Sequence, residues 1–142
     1  MSLITLYRGC RSFQEAENIK NNKTARGYNP ANQDATPPTD EKAIQYVGNG
    51  EGLDDPMREE KNSDIPEFVE YTTDINIAIQ FGRHRGGVVM IKIDKKYCTK
   101  GSGCENSFVI HKNAPITFLW HKTPENIENT SSETPDSPLI PQ

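Results

Sequence analysis

The stretch from Phe68 to Asp94 constrains the fold more than any other part of the chain. Phe68-Val-Glu-Tyr-Thr-Thr73 is rich in aromatic and β-branched residues and reads as a strand. Asp74 follows directly and can cap a short helix over 75–82, in which Ala78 and Phe81 pack the helix onto the sheet. Val88–Ile93 is then a clear second strand. Only 33% of the 142 residues are hydrophobic, and ten Gly and ten Pro imply much loop, so the chain makes one domain with a small, mostly β core.

The flanking sequence supplies shorter elements. Leu3-Ile-Thr-Leu-Tyr7 is apolar and β-prone, and Gly9 stops it. Ser12 with Glu15 three residues later forms a capping box ahead of a helix over 13–21. Residues 22–40 are turn-rich, and Thr39 or Asp40 opens a helix around 40–47. Gly48–Asp64 is polar and reads as a long surface loop, a length that usually marks function or disorder. Residues 94–104 read as a loop, and Ser107–His111 and Pro115–Trp120 as two further strands. From Thr123 onward almost nothing is apolar, so 123–142 is expected to be a disordered tail, or one ordered by a partner, behind a folded domain of 1–122. The expected class is α+β: two small antiparallel sheets packed face to face, with short helices at one side.

Charge and cysteines narrow the chemistry. A net charge of −4 gives no general reason to expect nucleic-acid binding. Lys92, Lys95, Lys96 and Lys100 can make a local basic patch, but a solvated strand end is the plainer reading. Three cysteines, Cys10, Cys98 and Cys104, cannot complete an intrachain disulfide framework, although Cys98 and Cys104 flank a loop that one bridge would close. His84, His111 and His121 have no metal-ligand spacing with them, so no metal is expected. Met1–Leu6 has neither a basic segment nor a long apolar core, so no signal peptide is expected, nor is a membrane span.

Three separated features belong together. Leu6-Tyr-Arg-Gly9 ends the first strand. Tyr71-Thr-Thr73 precedes a helix carrying Ala78-x-x-Phe81. Glu105 comes just before the apolar strand Ser107-Phe-Val-Ile110. In this order the chain resembles the mono-ADP-ribosyltransferase superfamily, bacterial toxin and effector type, over residues 3–119. The resemblance implies a split β-sandwich, NAD as substrate, cleavage of the nicotinamide–ribose bond, and transfer of ADP-ribose to a macromolecule. It also implies a domain secreted or delivered into a target cell and acting in its cytoplasm, whether as the warhead of a larger toxin or as an effector, with a cognate immunity protein as a partner. The acceptor is left open among protein arginine, another side chain and nucleic acid, with a protein preferred. Two rivals use the same scaffold: an NAD glycohydrolase that passes the ribose to water, and a non-catalytic binding module.

Breaking that bond makes an oxocarbenium-like ribose, and nicotinamide leaves as a neutral base, so no general acid is required. A carboxylate near the ribose, a cation for the diphosphate and hydroxyls that fix geometry are what help, with preorganised electrostatics the largest contribution. Arg8 suits the cation role, because a guanidinium matches phosphate bidentately and Gly9 allows close approach to the backbone. An exposed strand-end arginine is the plain alternative, and Arg11 is the nearby substitute. Thr72 and Thr73 match the family's Ser-Thr-Ser, while counting back from Ala78 puts Tyr71 at its first position. Tyr71 and Thr73 face one way and Thr72 the other, so only one set points into a site. Glu105 is the candidate catalytic carboxylate. In strict register that role falls on Ser107, and Glu105 takes the earlier, acceptor-choosing position; Glu70 is the weaker substitute. The 94–104 loop, with Lys100 and Ser102 and followed by Ser107, would select the acceptor, and Phe81 can shelter nicotinamide.

Overall fold

The structure is a computed structural model that describes residues 2–28, 30–41, 43, 68–101 and 106–130. Strand β1 (Leu3–Gly9) leads into helix α1 (Phe13–Asn22), and strand β2 (Phe68–Thr72) into helix α2 (Ile75–Gly82). Strand β3 (Val88–Asp94) passes through a 3₁₀ turn at Lys95–Tyr97 into β4 (Cys98–Lys100). Strands β5 (Ser107–His111) and β6 (Thr117–Lys122) follow, and helix α3 (Pro124–Thr130) closes the described chain.

Both well-marked helices begin where their side-chain chemistry dictates. Ser12 accepts the Glu15 N–H at 3.1 Å and Asp74 accepts the Asn76 N–H at 2.9 Å, each satisfying an amide that has no partner within the helix. At residues 40, 41 and 43 the backbone is helical, and the Ala43 N–H donates to the Thr39 carbonyl at 2.9 Å. The rest of the helix expected over 40–47, and the loop expected over 48–64, lie outside the described residues.

The strands form one six-stranded sheet in the order β4-β5-β2-β1-β3-β6, with every pairing antiparallel. This is α+β, as expected, but the strands make one sheet where two packed sheets were expected. The sheet nevertheless has a seam. β1 pairs with β3 along its whole length, Leu3↔Asp94 through Gly9↔Val88, and β2 pairs with β5 from Phe68↔His111 to Thr72↔Ser107. β1 and β2 share the single register pair Tyr7↔Thr72. The sheet thus consists of two three-stranded halves, β4-β5-β2 and β1-β3-β6.

Side chains alternate between two packed faces. On one, Leu6, Tyr71, Val89, Ile91 and Ile110 pack with Ala16 and Ile19 of α1. On the other, Val88 and Trp120, with Tyr7 and Met90, pack against Ile75, Ala78 and Ile79 of α2 and Ile127 of α3.

Two expectations need correction. Residues 98–100 are a strand within the expected 94–104 loop: Cys98↔Ile110 through Lys100↔Phe108 extend the sheet by an edge. Three residues are too few to display a period, and the flanking lysines mask them. The expected tail begins instead with α3, because Ile127 is 1% exposed and burial of such a side chain contributes about 1.5–3 kcal/mol. One apolar residue in the right place anchors an otherwise polar segment.

Candidate functional site

β1 delivers Arg8 to the seam. Its side chain is 2% exposed, which excludes the plain reading of a solvated strand-end arginine. Nη1 donates to the Glu70 carbonyl of β2 at 3.1 Å, and Nη2 donates to Glu15 Oε2 at 3.1 Å. Helix α1 brings Glu15 here through its first turn. In a capping box the glutamate returns to the N–H of the capping residue. Glu15 reaches one residue further: Oε1 accepts the Arg11 N–H at 2.9 Å, and Oε2 lies 3.5 Å from Nε of Arg26. Arg26 in turn donates from Nη1 to the Phe68 carbonyl at 3.4 Å.

Above this buried pairing opens a cavity of about 390 Å³ lined by Arg11, Ser12, Glu15, Arg26 and Arg85. Among the described residues, three arginines and one carboxylate line it, and Arg8 lies behind that carboxylate. Arg85 comes from the turn after α2, where its guanidinium carbon sits 5.5 Å from the centre of the Phe81 ring. Its Nη1 is buried without a hydrogen-bond partner, a donor that a ligand oxygen would satisfy. Arginines lining one concavity suit a phosphate or diphosphate, and the positive end of α1 adds to the field.

The expected site residues divide between two faces. Tyr71 lies on the Arg8 face, but its hydroxyl donates to the Ala25 carbonyl at 2.6 Å and is wholly buried. Burial holds the phenol well above its ordinary 10.0. Thr72 and Ser107 are opposed in register on the other face, next to Tyr7. Thr72 Oγ1 accepts the Asp74 N–H at 3.0 Å and so closes the turn into α2. Ser107 is 2% exposed, and its Oγ is buried without a partner. Thr73 is exposed, and its N–H donates to the Asn106 carbonyl at 3.1 Å. Glu70 is buried on the Thr72 face. Thr72 and Arg8 are therefore not brought together.

Gly9 has a different use from the one expected. A Cβ there would strike the Ala78 carbonyl oxygen and come within 2.7 Å of the Gly82 nitrogen, so what approaches the Gly9 backbone is helix α2. Phe81 is 7% exposed and backs Arg85. Lys100 sits over the Phe108 ring at 5.6 Å, away from the lining of the cavity. Ser102, Cys104 and Glu105 lie outside the described residues. Among the described residues, neither Cys10 nor Cys98 forms a disulfide. Among the described residues, no group of three His, Cys, Asp or Glu side chains could hold a metal, and no helix is long and apolar enough to cross a membrane.

Sequence reasoning missed Arg26 and Arg85. Arg26 sits in a turn-rich segment without periodicity, and Arg85 sits in a polar turn where a surface role is the default. Gly27 carried the one local signal: its φ is +80°, and an added Cβ would meet Asn18 Cβ at 2.5 Å, so this turn is pinned against α1.

No curated protein matches the chain. The family model described as "Domain of unknown function (DUF4765)" matches residues 1–132, a span that holds every strand and helix of the described residues and the cavity lining among them. The chain belongs to that family, DUF4765.

Proposed function

We propose that the chain is an NAD-dependent mono-ADP-ribosyltransferase domain of toxin or effector type. The observation that carries this reading is the arginine-lined cavity at the end of β1, with the buried Arg8 set at the seam behind its one carboxylate. In this reading the two half-sheets are the two leaves of a split β-sandwich. Arg11, Arg26 and Arg85 take the diphosphate of NAD. Arg8 props the floor of the site, and Tyr71 ties β2 to the turn after α1. Glu105 supplies the carboxylate from the β4–β5 connection. The C1′–N1 bond breaks with its electron pair leaving on nicotinamide. C1′ then bonds to a nucleophile of the acceptor, whose proton passes to the carboxylate or to water. A protein acceptor, delivery into a target cell and a cognate immunity protein belong to the same reading.

The test is incubation of the purified chain with labelled NAD and whole-cell lysate, beside Glu105→Ala and Arg85→Ala. Transfer of label by the wild type, its loss in Glu105→Ala and a raised KM for NAD in Arg85→Ala are the expected results. NAD consumption without labelled macromolecule would make the protein a glycohydrolase. Absence of consumption by the folded wild type would reject the enzyme and leave a binding module.

A further inference from the structure

Among the described residues, Glu15 is the one acidic side chain lining a cavity otherwise rich in arginine, and both of its carboxylate oxygens are engaged. Oε2 lies 3.1 Å from Nη2 of Arg8 and 3.5 Å from Nε of Arg26, and Oε1 accepts the Arg11 N–H at 2.9 Å. These partners come from the end of β1, from the turn after α1 and from the backbone ahead of α1. We infer that Glu15 is the positioning residue of the cavity: it draws Arg8 and Arg26 together and fixes the backbone of Arg11, so that an anionic ligand meets a preformed set of donors. The inference rests on the proposed reading for the identity of that ligand, the diphosphate of NAD; the geometry stands without it.

The alternative is that Glu15 merely caps α1. Glutamine serves as well as glutamate at that position of a capping box. Glu15→Gln keeps the volume and an amide oxygen that can accept from Arg11, and it removes only the charge between two guanidinium groups. The same substitution makes the cavity more positive. Simple attraction therefore demands tighter anion binding in Glu15→Gln, and a cap alone demands no change. Positioning demands the opposite sign: with no counter-charge on the oxygen they share, Arg8 and Arg26 repel and lose their shared alignment.

Inorganic pyrophosphate, titrated calorimetrically into the full chain, is the probe. The wild type is expected to bind it, and Glu15→Gln about tenfold more weakly, the loss of one charge-assisted contact. Glu15→Asp, which keeps the charge one methylene short, should recover part of the affinity. Ile19→Val, buried one turn along α1 from Glu15 and not itself part of the lining, should lower the melting temperature and leave pyrophosphate affinity within about twofold. Equal or tighter binding by Glu15→Gln overturns the inference. So does a wild type that does not bind pyrophosphate, or an Ile19→Val that weakens binding as much as Glu15→Gln does. Should Glu15→Gln fail to fold, Glu15→Asp decides: an affinity equal to wild type overturns the role and a weaker one upholds it. If pyrophosphate follows the expected pattern while NAD is neither bound nor consumed, the positioning role stands and the transferase reading falls.

Discussion

Nη1 of Arg8 lies 3.1 Å from the carbonyl oxygen of Glu70, and this bond crosses the sheet where β1 and β2 share one register pair. A side chain here performs part of the work that a backbone ladder performs elsewhere. With its other arm on Glu15, the same guanidinium ties β1, β2 and α1 together.

Substitution of Arg8 should therefore cost far more than the loss of a surface charge. Removing one member of a buried ion pair leaves the other uncompensated, and Arg8→Gln is expected to lose about 3–5 kcal/mol. Arg8→Lys should recover little of this, because an ammonium cannot bridge the Glu70 carbonyl and the Glu15 carboxylate as a planar fork does. Urea unfolding followed by circular dichroism reads both variants. A loss below about 1 kcal/mol, typical of a surface ion pair, would remove Arg8 from this structural role.

Tyr71 offers a narrower test. Its hydroxyl is the donor to the Ala25 carbonyl at 2.6 Å, so Tyr71→Phe leaves a buried acceptor unpaired and should cost about 1–3 kcal/mol. The folded phenol titrates well above its ordinary 10.0 because burial opposes the phenolate. A raised folded value gives stability that is complete below pH 10 and is lost as pH climbs above it. Alkaline unfolding of wild type should be steeper than that of Tyr71→Phe, with the Tyr71 absorbance change arriving together with unfolding.

Gly9→Ala separates close packing from ligand access. The new Cβ would collide with the Ala78 carbonyl oxygen and with backbone and side-chain atoms of α2, so overpacking should cost about 1–3 kcal/mol or more in the absence of any ligand. A melting temperature equal to wild type would show that α2 can yield and that the glycine serves something other than packing.

The Cys98 thiol is pushed up from 9.0 to about 12, first by burial and then by the nearby Asp94 carboxylate. It should react slowly with iodoacetamide at pH 8 and become reactive on unfolding, because only the thiolate attacks. Its raised value contributes stability below pH 9 that falls away between pH 9 and 12, so Cys98→Ala should flatten the stability profile across that window. Rapid alkylation of Cys98 itself in the folded chain at pH 8 would contradict the burial.

Features set by neighbours in sequence were legible in advance. Ser12 and Asp74 announce their helices because each cap acts within three residues, and Phe68–Thr72 and Val88–Asp94 announce themselves by composition and length. Arg8 stood out because it ends an apolar strand before Gly9. What stayed hidden was convergence. Arg11, Arg26 and Arg85 meet only because α1 and the turn after α2 are packed against the same end of β1, and no local pattern carries that information. The face assignment was half legible: alternation along β2 separates Thr72 from Tyr71, but only the register with β1 assigns Arg8 to the Tyr71 side.

The two half-sheets are not two stretches of chain. From β1 to β6 the polypeptide passes between the halves four times, so neither half is encoded by a continuous segment. A backbone cut between α1 and β2 would give an N-terminal piece owning the seam strand of one half, β1, and a C-terminal piece owning the strands on either side of it. Neither fragment could complete a core alone. Mixed, the two should rebuild the native sheet by inserting β1 between β2 and β3, and with it restore the arginine cavity, which makes this a chain suited to activation by fragment complementation.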